Sequence, residues 1–532
     1  MRNINIRYVV ISSLVALLCG GNMYVYGNAW IPTLLSIACV FLFSLCFVML
    51  LTLFIPDKFR LFNEYEKKKS GLVKYFAIYF VAWLPFLIIK YPGAVQPDTW
   101  QMILQYTTNR LNDWQSVFYS LYINWFILAG KSLGSASAGL FAFVLVQHLV
   151  NSFAFAYATA FIDKLNTRSF VRIAVIVISL LNPYVIGYTG TAIKDVPYSS
   201  CVLLLIILLA EHSLDPEVFK INIPKAILLV MVCCCICFIR NNGIYVILIC
   251  VLLAIPALIR NKDHVRLVTL LVAGMVIYLL GNYCIFSICN VYVRPTGYGE
   301  ALSIPFQQTA RYVRDYEEDV TEEEREIIDQ QLVFDTLKER YDPRISDPVK
   351  VNYRGDKSNL SEYFGVWLKQ FLRHPICYIE ATVEQNCSLF IPTLSSTNTA
   401  FWKNGSTGYE LNVCLTGGGS FVESSSLYYP PELEDAKDVV IQICCALLAT
   451  PIVSAFWNIA IDTIILVVIF MLSIIKRRPE KLYYLAPMLS TLLITIAGPV
   501  IYGHPRYMFP VVFAIPFVIV YELYINSHPK NA

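Results

Sequence analysis

The feature that most constrains this chain is a series of apolar runs, each about 18 residues or longer, that recurs from one end to the other. A run of this kind crosses a lipid bilayer as a helix, because lipid offers no hydrogen-bond partner to the backbone. The mean hydropathy is +0.58, and only 15% of the residues are charged, against about a quarter in a soluble domain. The sequence therefore predicts an all-α polytopic membrane protein.

The apolar runs predict about twelve transmembrane helices. They lie near residues 8–26, 29–55, 73–91, 136–162, 169–186, 196–211, 224–239, 243–259, 265–290, 453–475, 481–500 and 508–525. The first run lacks a small-residue cleavage signature, so we interpret it as a retained helix rather than a signal peptide.

Basic clusters between the runs predict the orientation, because short loops rich in Lys and Arg stay in the cytoplasm. With twelve spans, five clusters and both termini fall on the cytoplasmic side. These clusters are Lys58/Arg60/Lys67–Lys69, Lys164/Arg168/Arg172, Lys220/Lys225, Arg260/Lys262/Arg266 and Lys476–Arg478. Two further apolar segments, Trp114–Lys131 and Val439–Pro451, would reverse this pattern if they crossed the bilayer. We predict that the first is a juxtamembrane or re-entrant segment on the outer face and that the second lies along the membrane surface before the tenth span.

Charge is distributed unevenly. Residues 291–438 contain 14 Lys and Arg against 24 Asp and Glu, whereas the rest of the chain contains 27 against 14. The segment is too long for a structureless loop, and its run Thr321–Arg340 is helix-like and acidic. We therefore predict four regions. They are two N-terminal helices with a basic loop (1–72), a catalytic transmembrane module (73–290) with the outer loop 91–135, an α-rich extracytoplasmic loop domain (291–438), and C-terminal juxtamembrane and transmembrane helices (439–532).

The cysteines and histidines carry no recognisable metal motif. Of 16 cysteines, only Cys377, Cys387 and Cys414 belong to the long loop, and a disulfide between two of these is an open alternative. The six histidines are scattered without ligand spacing. We expect no metal and no cofactor.

Asp98 is the leading candidate for a catalytic residue. It follows the apolar helix Val73–Lys90, in a segment where two prolines and a glycine stop that helix. We therefore expect Asp98 in a shaped loop at the lipid–water boundary, where a carboxylate can serve as general base for a lipid-linked substrate. The alternative is an exposed structural acid.

Cations on the predicted outer face form the second part of the candidate site. Arg240 closes one apolar helix in the tight turn 240–243, and an outward arginine there suggests an anion such as a lipid-linked phosphate. Lys194 precedes Asp195 and Pro197 at the start of another helix; Asp195 is equally well explained by helix capping. Arg506 lies where the last helix begins. The alternatives are contacts with headgroups or loop acids for Arg240, a role in holding a carboxylate in place for Lys194, and an interfacial anchor for Arg506.

Supporting candidates lie beside these residues. They are Asp113, Asn241, His504 and Tyr507. Gln147, His148 and Asn182 lie within predicted spans and are expected to form helix–helix hydrogen bonds. The sequence contains no P-loop, dinucleotide fingerprint, Ser-His-Asp pattern or metalloprotease motif.

These residues, in this order, resemble the GT-C superfamily of membrane glycosyltransferases, which includes the protein O-mannosyltransferases and the lipid A aminoarabinose transferases. The resemblance covers about Val73–Tyr507. More narrowly, the chain resembles an uncharacterised bacterial family labelled as glycosyltransferases, and the segments Ala301–Arg311 and Ser346–Lys350 look like features of that family. The resemblance implies Asp98 as catalytic base, with Lys194, Arg240 and Arg506 holding a phosphate. Thr99 departs from the Asp-Glu pair of mannosyltransferases, and two extra spans precede the module.

The resulting hypothesis is a membrane glycosyltransferase of a bacterial plasma membrane. It would move a sugar from a polyprenyl-phosphate donor to an acceptor hydroxyl on the outer face, with inversion. The expected partners are this donor, membrane lipids and a glycan, glycolipid or protein acceptor, with no nucleic acid. The alternatives are a polysaccharide polymerase or ligase that uses polyprenyl-diphosphate glycans, and a lipid or glycan transporter.

Overall fold

The computed structural model describes residues 5–27, 30–54, 61–62, 71–355, 358–392, 427–476, 482–498, 501 and 504–528. The helices of this part of the chain are α1 (Ile6–Gly27), α2 (Trp30–Met49), α3 (Leu72–Ile89), α4 (Pro97–Thr107), α5 (Val117–Ser132), α6 (Ala136–Lys164), α7 (Ser169–Leu180), α8 (Pro183–Tyr188), α9 (Asp195–Leu214), α10 (Val218–Ile221), α11 (Ile223–Ile239), α12 (Gly243–Arg260), α13 (Val265–Ile288), α14 (Ser303–Asp315), α15 (Glu322–Gln331), α16 (Leu337–Arg340), α17 (Asp347–Lys350), α18 (Leu360–Arg373), α19 (Pro375–Asn386), α20 (Glu434–Ala449), α21 (Pro451–Ser454), α22 (Ile459–Ile475), α23 (Leu482–Ala497) and α24 (Phe509–Ser527). Two short strands, β1 (Ala94–Val95) and β2 (Thr191–Ala192), accompany them.

Apolar helices make this an α-helical membrane protein. Within the described ranges, eight helical segments are long and apolar enough to cross a bilayer. They belong to α1, α2, α3, α6, α9, α12, α13 and α24. Four shorter apolar helices, α7, α11, α22 and α23, lie at the other predicted spans.

One predicted span is divided in two. The apolar run 169–186 was expected to form one helix, but α7 ends at Leu180 and α8 begins at Pro183. The cause is local, because the Asn182 side chain accepts hydrogen bonds from the backbone N–H groups of Tyr184 and Val185 and starts a new helix. Proline at the first position of α8 favours the same break. Asn182 is therefore a helix cap and not the helix–helix contact that was predicted.

The centre of the bundle is α9. Its residues Asp195 to Ser213 are all buried, and α6, α11, α23 and α24 pack around it. The helix α24 is nearly as enclosed. Two of the segments that carry predicted site residues thus begin the two most enclosed of the candidate spans, which fixes those residues against a rigid core.

Helices at the margin of the bundle are more exposed. The hairpin of α1 and α2 packs against α22. The two predicted juxtamembrane segments are both helical: α5 packs on α4 and α6, and α20 packs on α8. The helix α20 begins at Glu434, before the predicted start at Val439, because the acidic side chains of its first turn suit a helix N-terminus.

A second hydrophobic core lies in the long polar segment. Helices α14 to α18 surround it, and it includes Phe306, Ile328, Leu337 and Tyr363. The predicted helix over Thr321–Arg340 is interrupted. Helix α15 starts with a capping box formed by Thr321 and Glu324, and it ends at Gln331. Cys377 and Cys387 are both free thiols, so they form no disulfide with each other. Cys414 lies outside the described residues.

Basic side chains gather at one end of the bundle. Glu211, at the end of α9, lies 3.2 Å from the Nζ of Lys164 and 2.8 Å from that of Lys225. Arg172 pairs with Asp163 nearby in sequence. These cations come from two of the basic clusters that were predicted to be cytoplasmic. The predicted cluster of Lys58, Arg60 and Lys67–Lys69 and the residues 477–478 lie outside the described residues.

Candidate active site

A parallel sheet of two strands, each two residues long, brings the first two parts of the site together. β1 follows α3 and β2 precedes α9, and they pair with Ala94 opposite Thr191 and Val95 opposite Ala192. The hydroxyl of Thr99 then donates a hydrogen bond of 2.5 Å to the backbone oxygen of Ala192. This ladder aligns the segment of Asp98 with the segment of Lys194 and Asp195.

Asp98 lies in the first turn of α4 and not in the loop that was expected. Pro97 occupies the first position of this helix, preceded by Gln96 with an extended backbone. A proline at that position carries the backbone angle that a helix needs and gives up an N–H that would have no partner. The same proline that was expected only to break the preceding helix therefore starts the next one. An acid in a first helical turn is also favoured by the helix dipole.

The predicted acid and cations form one cluster, which we call the charge cluster: Asp98, Lys194, Asp195, Arg240 and Arg506. One oxygen of Asp98 (Oδ2) lies 3.3 Å from Nη1 of Arg506 and 3.6 Å from Nζ of Lys194. Nη1 of Arg240 lies 2.9 Å from Oδ1 of Asp195. With all five groups ionised, three cations face two carboxylates, and the cluster carries one net positive charge.

Burial within the charge cluster is graded. The Asp195 side chain is only 2% exposed, whereas those of Arg240 and Asp98 are 18% and 27% exposed. The cluster is therefore sealed at Asp195 and open toward Asp98 and Arg240. A ligand that reached the site would meet the catalytic candidate and a guanidinium first.

Tyrosine rings hold the two guanidiniums. The Arg240 guanidinium lies 5.2 Å from the ring centre of Tyr198 and 5.9 Å from that of Tyr507, and the Arg506 guanidinium lies 5.3 Å from the latter. Tyr507 thus lies between two cations, which its ring faces stabilise. These contacts orient planar donors whose forked geometry suits phosphate oxygens.

Sequence reasoning missed two residues of the site. Tyr198 is four residues after Lys194, close to one turn along α9, so helical spacing could have indicated it. Gln115, whose side-chain oxygen accepts a hydrogen bond from Lys194, gave no such signal, because its contact depends on how α5 packs. Gln147, predicted to join helices, donates a 2.9 Å hydrogen bond to the backbone oxygen of Ile193 and supports the loop before α9.

Charges and burial compete at Asp98 and Lys194. Burial alone would raise the pKa of Asp98, but Lys194, Arg506 and Arg240 together hold this pKa well below its usual range. Burial lowers the pKa of Lys194, and the carboxylates of Asp98 and Asp195 oppose that shift. Asp98 is therefore ionised at neutral pH and bound to cations.

Asp113 and Asn241 lie beside the charge cluster. The Asp113 carboxylate accepts hydrogen bonds from the backbone N–H of Arg294 at 3.0 Å and from its Nε at 3.1 Å. Asn241 Nδ2 donates to the backbone oxygen of Asp113 at 3.4 Å. Asp113 thus fastens the start of the long polar segment to the bundle and forms no pair with Asp98.

The His504 side chain contacts the backbone of Arg506 and the ring of Tyr507. Its Nδ1 accepts a hydrogen bond of 3.4 Å from the backbone N–H of Arg506, and its ring centre lies 5.3 Å from that of Tyr507. This arrangement caps the short 3-10 helix Pro505–Met508. His504 therefore has a positioning role in the structure.

Metal-ligand chemistry is not evident in the described part of the chain. No three His, Cys, Asp or Glu side chains gather there in a group that could hold an ion. The two carboxylates of the charge cluster each contact a cation. The surplus of one cation in the charge cluster suits an anionic ligand.

The chain belongs to a protein family. The model of DUF6020, a family of unknown function, matches residues 27–531. No curated protein matches the chain, and no solved structure does.

Proposed function

We propose that this member of a family of unknown function is a membrane glycosyltransferase that takes a sugar from a polyprenyl-phosphate donor. Asp98 would accept the proton of the acceptor hydroxyl, and Lys194, Arg240 and Arg506 would bind the phosphate. The observation that carries the proposal is the charge cluster, which has three cations around two carboxylates at one end of a bundle of apolar helices.

The net charge of the cluster favours one type of donor. A sugar linked to a lipid through one phosphate is a phosphodiester with a single negative charge, which one surplus cation neutralises. A diphosphate link carries a second negative charge, for which the cluster has no further cation. Uncompensated charge in a partly buried site is unfavourable. The monophosphate donor is therefore the better match.

The Asp98 carboxylate occupies positions that a phosphate oxygen would take. It contacts Arg506 and Lys194, two of the three proposed phosphate ligands. When the donor phosphate binds these cations, it withdraws them from Asp98, and the pKa of Asp98 rises toward its ordinary range. Donor binding would thereby convert a weak base into a better one.

The chemical step is a substitution at the anomeric carbon. The acceptor oxygen forms a bond to this carbon as the bond between the carbon and the phosphate oxygen breaks. The hydroxyl proton passes to Asp98, and the electron pair of the broken bond stays on the polyprenyl phosphate. This leaving group gains negative charge, which the two guanidiniums and Lys194 stabilise. Attack from the face opposite the phosphate inverts the sugar configuration.

The proposed location is the outer face of a bacterial plasma membrane, with twelve spans and both termini in the cytoplasm. Two observations support it. Lys164 and Lys225 contact Glu211 in the last turn of α9, and Arg172 pairs with Asp163 beside Lys164, whereas Lys194 and Asp195 lie at the start of α9. The basic end is thus opposite the site, as a cytoplasmic end requires. The long acidic segment joins the site end, through Asp113 and Arg294. Its helices α14–α19 form the proposed extracytoplasmic loop domain.

The test compares donors with purified full-length protein in lipid vesicles. Polyprenyl-monophosphate and polyprenyl-diphosphate sugars, labelled in the sugar, are supplied with cell-envelope extract as the source of acceptor. We expect transfer and release of polyprenyl phosphate from the monophosphate donor. Faster turnover of the diphosphate donor would favour a polymerase or ligase, and movement of intact donor across the vesicle without release would favour a transporter.

A pair of arginine variants tests the role of the charge cluster. Arg240→Gln should lower transfer by about 10²–10³-fold, the usual effect of removing one preorganised donor. The matched control is Arg266→Gln, an exposed arginine near the start of α13 and away from the site. Equal activity of both variants and the unaltered protein would contradict a phosphate role for Arg240.

A further inference from the structure

An exposed apolar surface runs along two helices of the long polar segment. We call it the apolar stripe: Phe364, Leu368, Leu372, Ile376 and Ile379. Its first three residues follow one another at four-residue intervals on α18, and the last two continue on α19. Their exposures lie between 36% and 70%. Large apolar side chains grouped in this way on consecutive exposed helices are typical of an interaction site.

The helices that carry the stripe are firmly packed on their other side. Tyr363 and Val366 of α18 belong to the second hydrophobic core. Cys377 and Tyr378 of α19 pack with Tyr312 in a further buried cluster. The stripe is thus the outward face of rigid amphipathic helices rather than a frayed end. Exposure of a rigid apolar face to water is unfavourable in free energy, and a partner that covers the face removes this penalty.

Continuity with the membrane surface identifies the partner. Both α19 and the short 3-10 helix Cys387–Leu389 pack against α1, one of the candidate membrane spans. The α1 helix exposes Leu14, Leu17 and Leu18, as a lipid-facing helix does. The stripe therefore belongs to a helix pair that already touches an element in contact with lipid.

Charge around the stripe suits the same surface. Lys369 is exposed on α18 immediately after Leu368, and Arg373 follows Leu372. Arg373 pairs with Glu324 at 2.8 Å, so Lys369 is the exposed cation beside the stripe. An apolar helix face next to an exposed lysine is typical of helices that lie in the headgroup region of a bilayer.

We propose that α18 and α19 lie in the plane of the membrane interface with the apolar stripe inserted among lipid headgroups. The partner is the bilayer surface next to α1. This contact would tether the α14–α18 unit to the membrane at a point distinct from its attachment through Asp113 and Arg294. The inference does not depend on the proposed enzymatic activity.

The test uses the full-length protein in vesicles of phosphatidylethanolamine and phosphatidylglycerol. An environment-sensitive fluorescent amino acid is introduced at position 368 or, separately, at position 376. Part of the lipid is replaced by lipid brominated near the carbonyl end of its acyl chains, which quenches a probe at interface depth. We expect blue-shifted emission and severalfold more quenching at both positions than at a control position 362, exposed on α18 but off the stripe.

A charged variant separates insertion from a general effect of the probe. Leu372→Asp should reduce quenching at position 376 and shift its emission toward that of water. Emission like that of position 362 at both stripe positions would overturn the proposal. It would also be overturned if shielding of the probe depended on protein density in the vesicle and not on bromolipid, because a second copy of the chain would then cover the stripe.

Discussion

At Asp98, a single carboxylate oxygen contacts both Arg506 and Lys194. Burial would raise its pKa, yet the surrounding cations hold this pKa below its usual range. The contact therefore stabilises the fold above the unfolded pKa, about 3.9, and this stabilisation is lost as the pH falls through the lower folded value. In the proposed mechanism, a bound anion replaces Asp98 at these cations before Asp98 accepts a proton. The pH dependence of the kinetics should show this replacement. As the pH falls, kcat should decrease at a higher pH than kcat/KM does, since only kcat reports the donor-bound enzyme.

Lys194 allows a second prediction at the residue scale. Burial lowers the pKa of its ammonium, with partial compensation from Asp98 and Asp195, so the cation is lost at lower pH than in a solvated lysine. As the pH rises, donor affinity should therefore begin to fall at a pH below about 10.4, the ordinary lysine pKa. In Lys194→Arg this loss of donor affinity at alkaline pH should disappear, because a guanidinium stays charged. Binding of polyprenyl phosphate measured from pH 7 to 10 tests this, and an identical loss of affinity in the variant would contradict it.

At the scale of elements, the site depends on how helices begin and end. The sequence predicted the apolar helices well: the runs 136–162, 224–239 and 243–259 correspond to Ala136–Lys164, Ile223–Ile239 and Gly243–Arg260. Short capped helices were harder, because Pro97 and Pro183 could be interpreted as stops as easily as starts. What decides between the two is the conformation of the preceding residue, Gln96 or Asn182, which tertiary contacts fix.

The turn between α11 and α12 gives a prediction at this scale. A Cβ on Gly243 would lie 2.2 Å from the backbone oxygen of Ile236. Gly243→Ala should therefore push the two helices apart, lower the thermal unfolding midpoint in detergent and move Arg240 away from Asp195. The control is Gly365→Ala on α18, where a Cβ meets no atom within 4 Å; it should be neutral or stabilising by up to about 1 kcal/mol. Equal midpoints for the two variants would contradict the close approach.

At the scale of the molecule, distant segments meet at one end of the bundle. Asp98, Lys194, Arg240 and Arg506 come from four of them, and Tyr429 adds a fifth through a 3.0 Å hydrogen bond from its hydroxyl to the backbone oxygen of Gly93. Counting basic loops predicted that these segments share a face. It did not predict which side chains pair: Asp113 goes to Arg294 because residues 112 and 292 form a β-bridge, a register set only in three dimensions.

The side of the membrane on which each segment lies is a prediction at the scale of the molecule. In a variant without native cysteines, a membrane-impermeant maleimide applied from outside intact cells should label Asn241→Cys and Lys338→Cys, whereas Arg266→Cys should react only after permeabilisation. Positions 241 and 266 are exposed in the structure, as is the Lys338 side chain. Protection of position 241 with labelling of position 266 would reverse the proposed orientation.

The most direct test of the central claim separates binding from chemistry in Asp98→Asn. The variant keeps all three cations of the charge cluster and removes one carboxylate that competes with phosphate. Polyprenyl phosphate should bind as tightly as before or more tightly, while sugar transfer should fall by about 10²–10⁴-fold, the range for loss of a general base. Transfer at the original rate, or loss of phosphate binding together with transfer in a folded variant, would contradict the assignment of Asp98 as the base beside a phosphate site.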